Sequence, residues 1–432
     1  MRVFIIDANH QPLAPTTPRR ARKLLNSGKA AVYRRFPFTL ILKREVEPFM
    51  VPPLRIKLDP GSRTTGMTVV NDATGEVVFA AEIEHRGEVV RQKLAARRAQ
   101  RRNRRQRQTR YRKAKFANRR LKIGWMPPSL KSRLTNILTW TERIRRYCPV
   151  SAITLELVKF DTQLMQNASV EGIEYQQGEL AGYELREFLL EKFNRRCAYC
   201  GQQNVPLQVE HIVPRARGGS NRVSNLTIAC QPCNQRKGTQ TAEEFGFPEV
   251  QTQAKQPLKD AAAVNTTRWE LFQRLQTIGL PLETGSGGLT KYNRTQRGLQ
   301  KGHWQDAACT GASTPQHLLV DEVNPLLITA TGRGSRQMCG TDRFGFPVRH
   351  RTRNKTVRGF QTGDMVRAVV PSGRKTSGVH FGRVLVRASG SFDLRTRAGR
   401  IGGINARYCT TIHRNDGYQY YFQNPTARPI QA

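Results

Sequence analysis

Two Cys-x2-Cys pairs, Cys197/Cys200 and Cys230/Cys233, restrict the fold of this chain more than any other feature. Around them the sequence reads CAYC, then VEHIVPRARGG, then SNLTIACQPCNQRKG. Four thiolates at this spacing can close a tetrahedral zinc site, which fixes the loop ends of a segment too short to hold itself by burial. Residues 201–229 separate the pairs, a longer gap than a zinc ribbon uses, so a further element is inserted there. The insert carries Glu210-His211 and the turn Gly218-Gly219, and Asn234 follows the second pair at once. A histidine in that setting can activate water near neutral pH, and a carboxylate with an amide can hold a hard cation through oxygen.

A bare zinc knuckle, serving structure or binding only, would need the cysteines alone. His211, Asn225 and Asn234 stand in register with them, and the whole pattern resembles the HNH (ββα-metal) nuclease motif. The resemblance implies His211 as general base and Glu210 with Asn234 as the oxygen ligands of Mg²⁺. Asn225 would brace the loop. Cys197, Cys200, Cys230 and Cys233 would bind a structural Zn²⁺.

The chain has 432 residues and a formal net charge of +40. Such a charge opposes compaction by self-repulsion unless a polyanion binds it, so a nucleic-acid partner is expected. Hydrophobic residues make up 38%, enough for folded domains and too many for a disordered basic tail. No apolar run is long enough for a membrane span, and the N-terminus does not read as a secretory signal. Cys148, Cys309, Cys339 and Cys409 are scattered singly, which suits a reducing cytoplasm better than a disulfide framework.

Residues 1–45 read as a small α+β unit: strand VFIID, basic helix PRRARKLLNSGKA ending at Gly28, and strand FTLILK. Pro48, Pro52 and Pro53 end it. LRIKLD, GMTVVND and EVVFAAEIE then form three strands joined by Gly/Thr turns, and a strand ending in Asp59 before a meander is the opening of an RNase H-like fold. SAITLEL places Glu156 near a strand end, and KGHWQDAACTGA places His303 and Asp306 on one helix face. Acids distant in sequence can converge on two Mg²⁺ ions for in-line phosphodiester cleavage.

From Arg91 to Lys122, 16 of 32 residues are Lys or Arg, with no acid, Gly or Pro. The composition predicts one helix of roughly 48 Å. Its like charges repel along the helix until phosphates neutralise them. Arg97, Arg98, Arg101, Arg102, Arg104, Arg105, Arg107 and Arg110 are its candidate phosphate contacts. Asp260 to Leu275 predicts a helix with one buried stripe, and LTKYNRTQRGLQ a basic loop or short helix. About 313–432, short alternating strands with Gly turns predict a small β-barrel or curled sheet, GYQYYF included.

The order of these parts resembles the IscB family, transposon-encoded RNA-guided nucleases with a RuvC core interrupted by HNH. PLAPTTPRRARKLL and AVYRRFPFTL resemble that family's N-terminal PLMP domain, here PLAP, and the similarity runs over nearly the whole chain. It implies an α+β multidomain protein: PLMP-like domain and linker 1–53, RuvC-I 54–85, arginine-rich bridge helix 86–123, RuvC-II 124–192 and HNH 193–256. RuvC-III at 257–313 and a C-terminal β-rich domain at 314–432, reading a short flanking DNA motif, would complete it. Asp59, Glu156, His303 and Asp306 would hold or assist two Mg²⁺ ions and cut the displaced DNA strand, Glu210, His211 and Asn234 the guide-paired one. A structured guide RNA (omega RNA) would lie along the bridge helix, against those arginines, while the protein reads heteroduplex shape. One chain with two nuclease sites needs no dimer. An unguided HNH endonuclease would leave Asp59, Glu156 and the His303–Asp306 pair unexplained, and a non-catalytic guided binder would not need clustered acids.

Overall fold

The computed structural model describes residues 1–47, 52–106, 125–157, 186, 189–190, 192–203, 205–221, 223–255, 261–320, 323–332, 339–344, 346–350, 354–396 and 398–422, with backbone only at 104, 223 and 261–266. The N-terminal unit is a four-stranded sheet in the order β2-β1-β4-β3, from β1 (Val3–Ile6), β2 (Pro12–Thr16), β3 (Ala30–Arg34) and β4 (Thr39–Leu42). Two of these, β2 and β3, go beyond the two strands expected. Its helix Pro18–Asn26 starts on Thr17, whose hydroxyl accepts from the Arg20 N–H at 3.3 Å, with Pro18 in the first turn. Gly28, at φ +67°, turns the chain out of it.

The expected meander is present as β5 (Leu54–Pro60), β6 (Thr64–Asn71) and β7 (Val77–Glu84), antiparallel throughout. β8 (Val150–Glu156) lies parallel to β5, and β11 (Leu282–Gly285), which the sequence reading did not mark, lies parallel to β8. Strand alternation divides the sheet into two chemical faces. Ile56, Leu58, Met67 and Leu155 face a core shared with Trp140 and Ile137 of helix Pro128–Tyr147 and Leu271 and Leu275 of helix Ala261–Gln276. Each such fully buried side chain contributes about 1.5–3 kcal/mol. Lys57, Asp59, Thr154 and Glu156 lie on the opposite face, where Lys57 Nζ donates to the Thr310 carbonyl of the segment after helix His303–Ala308, at 2.9 Å.

Gly66 sets the seat of that helix. It pairs with Asp59 across β5 and β6, and a Cβ at this position would lie 1.8 Å from the His303 carbonyl oxygen. Only a residue without a side chain lets the helix approach the end of β5 so closely. Gly66→Ala is therefore expected to push the helix off the sheet and lower stability by about 1–3 kcal/mol, read as a fall in melting temperature; an unchanged melt would contradict the packing.

The zinc-motif module is a hairpin of β9 (Leu207–His211) and β10 (Leu226–Cys230), followed by helices Gln231–Lys237 and Pro248–Lys255. Its separate core includes Leu189, Phe193, Leu207, Ile228 and Val250. After the His303 helix, β12 (Leu326–Ala330) adds to the central sheet parallel to β7. Two hairpins follow, β13 (Cys339–Thr341) with β14 (Pro347–His350), and β15 (Thr356–Val357) with β16 (Phe360–Gln361). β17 (Met365–Val370), β18 (Gly378–Leu385), β19 (Ser391–Thr396), β20 (Gly399–Asn405) and β21 (Cys409–His413) form a five-stranded antiparallel sheet in the order β20-β19-β18-β17-β21.

β22 (Tyr418–Phe422), the GYQYYF strand, does not join that sheet as expected. It pairs with β12 and completes a seven-stranded central sheet, β11-β8-β5-β6-β7-β12-β22. Its aromatic residues draw it there: Tyr420 stacks on Phe36 of the N-terminal unit with ring centroids 4.3 Å apart and meets Trp140 edge-on. Asp416 pairs with Arg143 at 3.1 Å and Arg34 at 3.4 Å, tying N-terminal unit, core helix and C-terminal segment together.

Candidate active sites and nucleic-acid interface

The four cysteine sulfurs of the module lie within 4.8 Å of one another. Cys200 and Cys230 Sγ are 3.7 Å apart, close to the edge of about 3.8 Å that a tetrahedron with Zn–S bonds near 2.3 Å requires. That separation is far beyond the ~2.05 Å of a disulfide. Burial pushes the Cys233 thiol up to about 12, with the Cys230 and Cys200 sulfurs adding to it. Four thiolates can share this space only around a cation, so geometry and donor chemistry fit Zn²⁺.

β9 ends in Glu210 and His211, and helix Gln231–Lys237 runs along it. Asn234 Nδ2 donates to Gln208 Oε1 at 2.9 Å, and one turn on Lys237 Nζ donates to Glu210 Oε1 at 2.7 Å. The Tyr199 hydroxyl, between the first two cysteines, donates to Glu210 Oε2 at 2.6 Å. Lys237 is wholly buried and also donates to the His211 carbonyl at 2.9 Å. Glu210 thus links the cysteine cluster to the strand that presents His211. Glu210 and Asn234 offer the hard oxygens that Mg²⁺ takes, and each carboxylate oxygen keeps a second lone pair. A cation there would share Glu210 with Lys237. Asn225 Oδ1 accepts from Val213 N–H at 2.9 Å, and its Nδ2 donates to the carbonyls of Val213 and Ser220 at 3.0 and 2.9 Å, bracing the loop.

Asp59, Glu156, His303 and Asp306 converge on a second place, one cavity of 330 Å³ at the ends of β5 and β8. Leu58 and Leu155 are parallel register partners, so Asp59 and Glu156 follow side by side on the same face. Arg268 donates to Glu156 Oε1 at 3.1 Å and to the Pro60 carbonyl at 3.2 Å, joining the two strand ends. Arg294 donates to Asp306 Oδ1 at 2.5 Å. Burial pushes the Glu156 and Asp306 carboxyls up, and the facing arginines oppose the shift. Clustered acids that burial disfavours as anions are sites where added positive charge is stabilising. Three carboxylates with one imidazole are a donor set that fits Mg²⁺. Arg195, from the start of the zinc module, lines the same cavity.

The basic run begins as a helix at Gly87 and is helical through Gln106. Arg97, Arg98, Arg101, Arg102 and Arg105 are exposed. The Arg104 side chain, Arg107 and Arg110 lie outside the described residues, as does the rest of the run to Lys122. Every residue from Arg91 to Asn103 is exposed, so little tertiary burial holds this stretch of the helix.

The sequence reading missed Tyr199, Lys237, Arg268, Arg294 and Asn221, whose Oδ1 lies 2.9 Å from His211 Nε2. A tyrosine inside CAYC and a lysine three residues after Asn234 were visible signals; the arginines were lost among 72 basic residues.

A family model described as RRXRR protein matches residues 3–178, a span that includes RRNRR at 101–105. The HNH endonuclease family model matches residues 197–248. The chain therefore carries an HNH endonuclease domain, the signature of a nuclease. No curated protein matches the chain. Among solved structures, Streptococcus thermophilus Cas9 in complex with the AGAA PAM is similar at 13% identity and a TM-score of 0.23, over 60% of this chain and 32% of that one. The Type II-C Cas9 enzyme from Actinomyces naeslundii is similar at 17% and 0.17, over 44% and 32%. The Type IV phosphorothioation-dependent restriction endonuclease ScoMcrA is similar at 20% and 0.14, over 26% of each. This chain spans about a third of the Cas9 chains it matches, and likeness at these scores carries no functional argument. No helix among the described residues is long and apolar enough to cross a membrane.

Proposed function

We propose that this chain is an RNA-guided DNA endonuclease that cuts the guide-paired strand at Glu210, His211 and Asn234 and the displaced strand at Asp59, Glu156, His303 and Asp306. The observation that carries this reading is the presence in one chain of an HNH domain and a separate cavity with three acids and a histidine, on a sheet that leads directly into an exposed arginine helix. The order β7-β6-β5-β8-β11, antiparallel for the first three strands and parallel thereafter, supports reading the sheet as an RNase H-like RuvC core split by the inserted module. Guide RNA would follow the arginine helix, and the C-terminal sheet would meet the flanking DNA motif. The protein would act as a monomer in the ribonucleoprotein.

Mg²⁺, bound by Glu210 and Asn234 in one site and by Asp59, Glu156 and Asp306 in the other, would polarise the scissile phosphate and offset its charge. At the HNH site His211 takes the proton from an attacking water as that oxygen bonds to phosphorus and the opposite phosphorus–oxygen bond breaks, the leaving oxygen keeping the electron pair and taking a proton from solvent. Tyr199 and Lys237 hold Glu210, and with it the strand end that aims the imidazole. At the cavity site His303 stands beside the acids to accept a proton in the same way. Arg268 and Arg294 hold Glu156 and Asp306 in place.

His211→Ala tests this assignment. It is expected to abolish cutting of the guide-paired strand only, leaving a nick in the displaced strand, with each strand followed by its own end label. Loss of both cuts would contradict two separate sites.

A further inference from the structure

We infer that Asn221 is the positioning residue of the HNH site, fixing which nitrogen of His211 receives the proton from water. The inference rests on the reading of His211 as general base. Asn221 Oδ1 lies 2.9 Å from His211 Nε2. An amide oxygen only accepts, so the neutral ring carries its hydrogen on Nε2 and leaves Nδ1 as the basic nitrogen. The same contact fixes the rotation of the ring about its side-chain bonds. This is the division of labour in which a base is held in one tautomer and one orientation by a third group.

Both ends of the contact are tied down by further hydrogen bonds. The His211 backbone pairs with Leu226, and its carbonyl accepts from buried Lys237. The loop bearing Asn221 folds back on the residues just after β9 through Gly219, where a Cβ would lie 1.8 Å from the Val213 carbonyl oxygen. Asn225 then clamps Ser220, the residue before Asn221, at 2.9 Å. Gln251 of helix Pro248–Lys255 donates to the Ser224 carbonyl at 3.1 Å and closes the loop from behind. The Gly-Gly turn and Asn225 therefore have a chemical purpose beyond bracing: together they deliver an amide oxygen to the imidazole.

The test uses the full chain with the RNA that purifies with it, acting on duplex DNA matched to that RNA, or on supercoiled plasmid if no discrete RNA is present. Wild type, His211→Ala, Asn221→Ala and Asn221→Asp are compared in single turnover, with zinc content and melting temperature measured alongside. Asn221→Ala is expected to slow the His211-dependent cut by about 10- to 100-fold, as removal of an orienting partner does, with unchanged half-saturation by DNA. Asn221→Asp keeps an acceptor oxygen at the same reach and is expected to recover most of that rate. Asn221→Ala at the wild-type rate beside an inactive His211→Ala would overturn the positioning role and leave the site assignment standing. Asn221→Asp, folded with its zinc but as slow as Asn221→Ala, would also overturn it. Full activity in His211→Ala would overturn the site assignment and this inference with it.

Discussion

Asp59→Ala is expected to abolish cutting of the displaced strand by more than about a thousand-fold, while the guide-paired strand is still cut. Asp59 is one of three carboxylates in the cavity, and the only one of them on β5, so no neighbour on that strand can replace its oxygen. Alanine there should leave the fold intact, because the strand end is held by other groups. Lys57, wholly buried two residues earlier, donates to the Thr310 carbonyl and to Thr314 Oγ1 at 2.9 and 3.0 Å. Arg268 grips the Pro60 carbonyl on the other side. The product is a nick opposite in strand to the one left by His211→Ala. Unchanged cutting of the displaced strand would remove Asp59 from the site.

Cys230→Ser is expected to cost the protein its zinc and to unfold the HNH module. The module's own core is small, with its largest members drawn from short segments around the hairpin. A structural zinc ion in such a setting is worth about 10–16 kcal/mol of folding free energy near neutral pH, as much as the whole stability of a typical domain. Tyr199 ties the effect to chemistry, because its hydroxyl bonds Glu210 from within the first cysteine pair. Metal analysis should give one Zn per wild-type chain and none in the variant, and limited proteolysis should open the segment around 193–256. Folded wild-type protein without zinc would contradict the site.

The features legible in the sequence are those in which residue type and spacing alone impose chemistry. The cysteine pairs had to meet, and the meander that opens with the Asp59 strand announced itself by period-two alternation and Gly/Thr turns. Convergence was harder. Nothing in the spacing of Asp59, Glu156 and Asp306 says that they share a cavity; Gly66 decides it, by letting the His303 helix settle on the sheet. β22 was misplaced for a related reason. Its tyrosines suit any sheet, and only Phe36 and Trp140, both far away in sequence, select the central one. Arg268 and Arg294 were invisible because a chain with 72 basic residues hides the two that serve acids. Asn221 was passed over because an asparagine after a Gly-Gly turn reads first as turn chemistry.

The most direct test of the central claim is to purify the protein expressed with its native flanking DNA, sequence the nucleic acid that accompanies it, and replace the variable end of any discrete RNA found. The account predicts one structured RNA, encoded beside the gene, and double-strand cleavage that moves to whatever sequence the new end specifies. Heterogeneous RNA or none, with DNA cleavage that persists at fixed sites, would contradict guidance and leave an HNH endonuclease whose arginine helix clamps DNA directly.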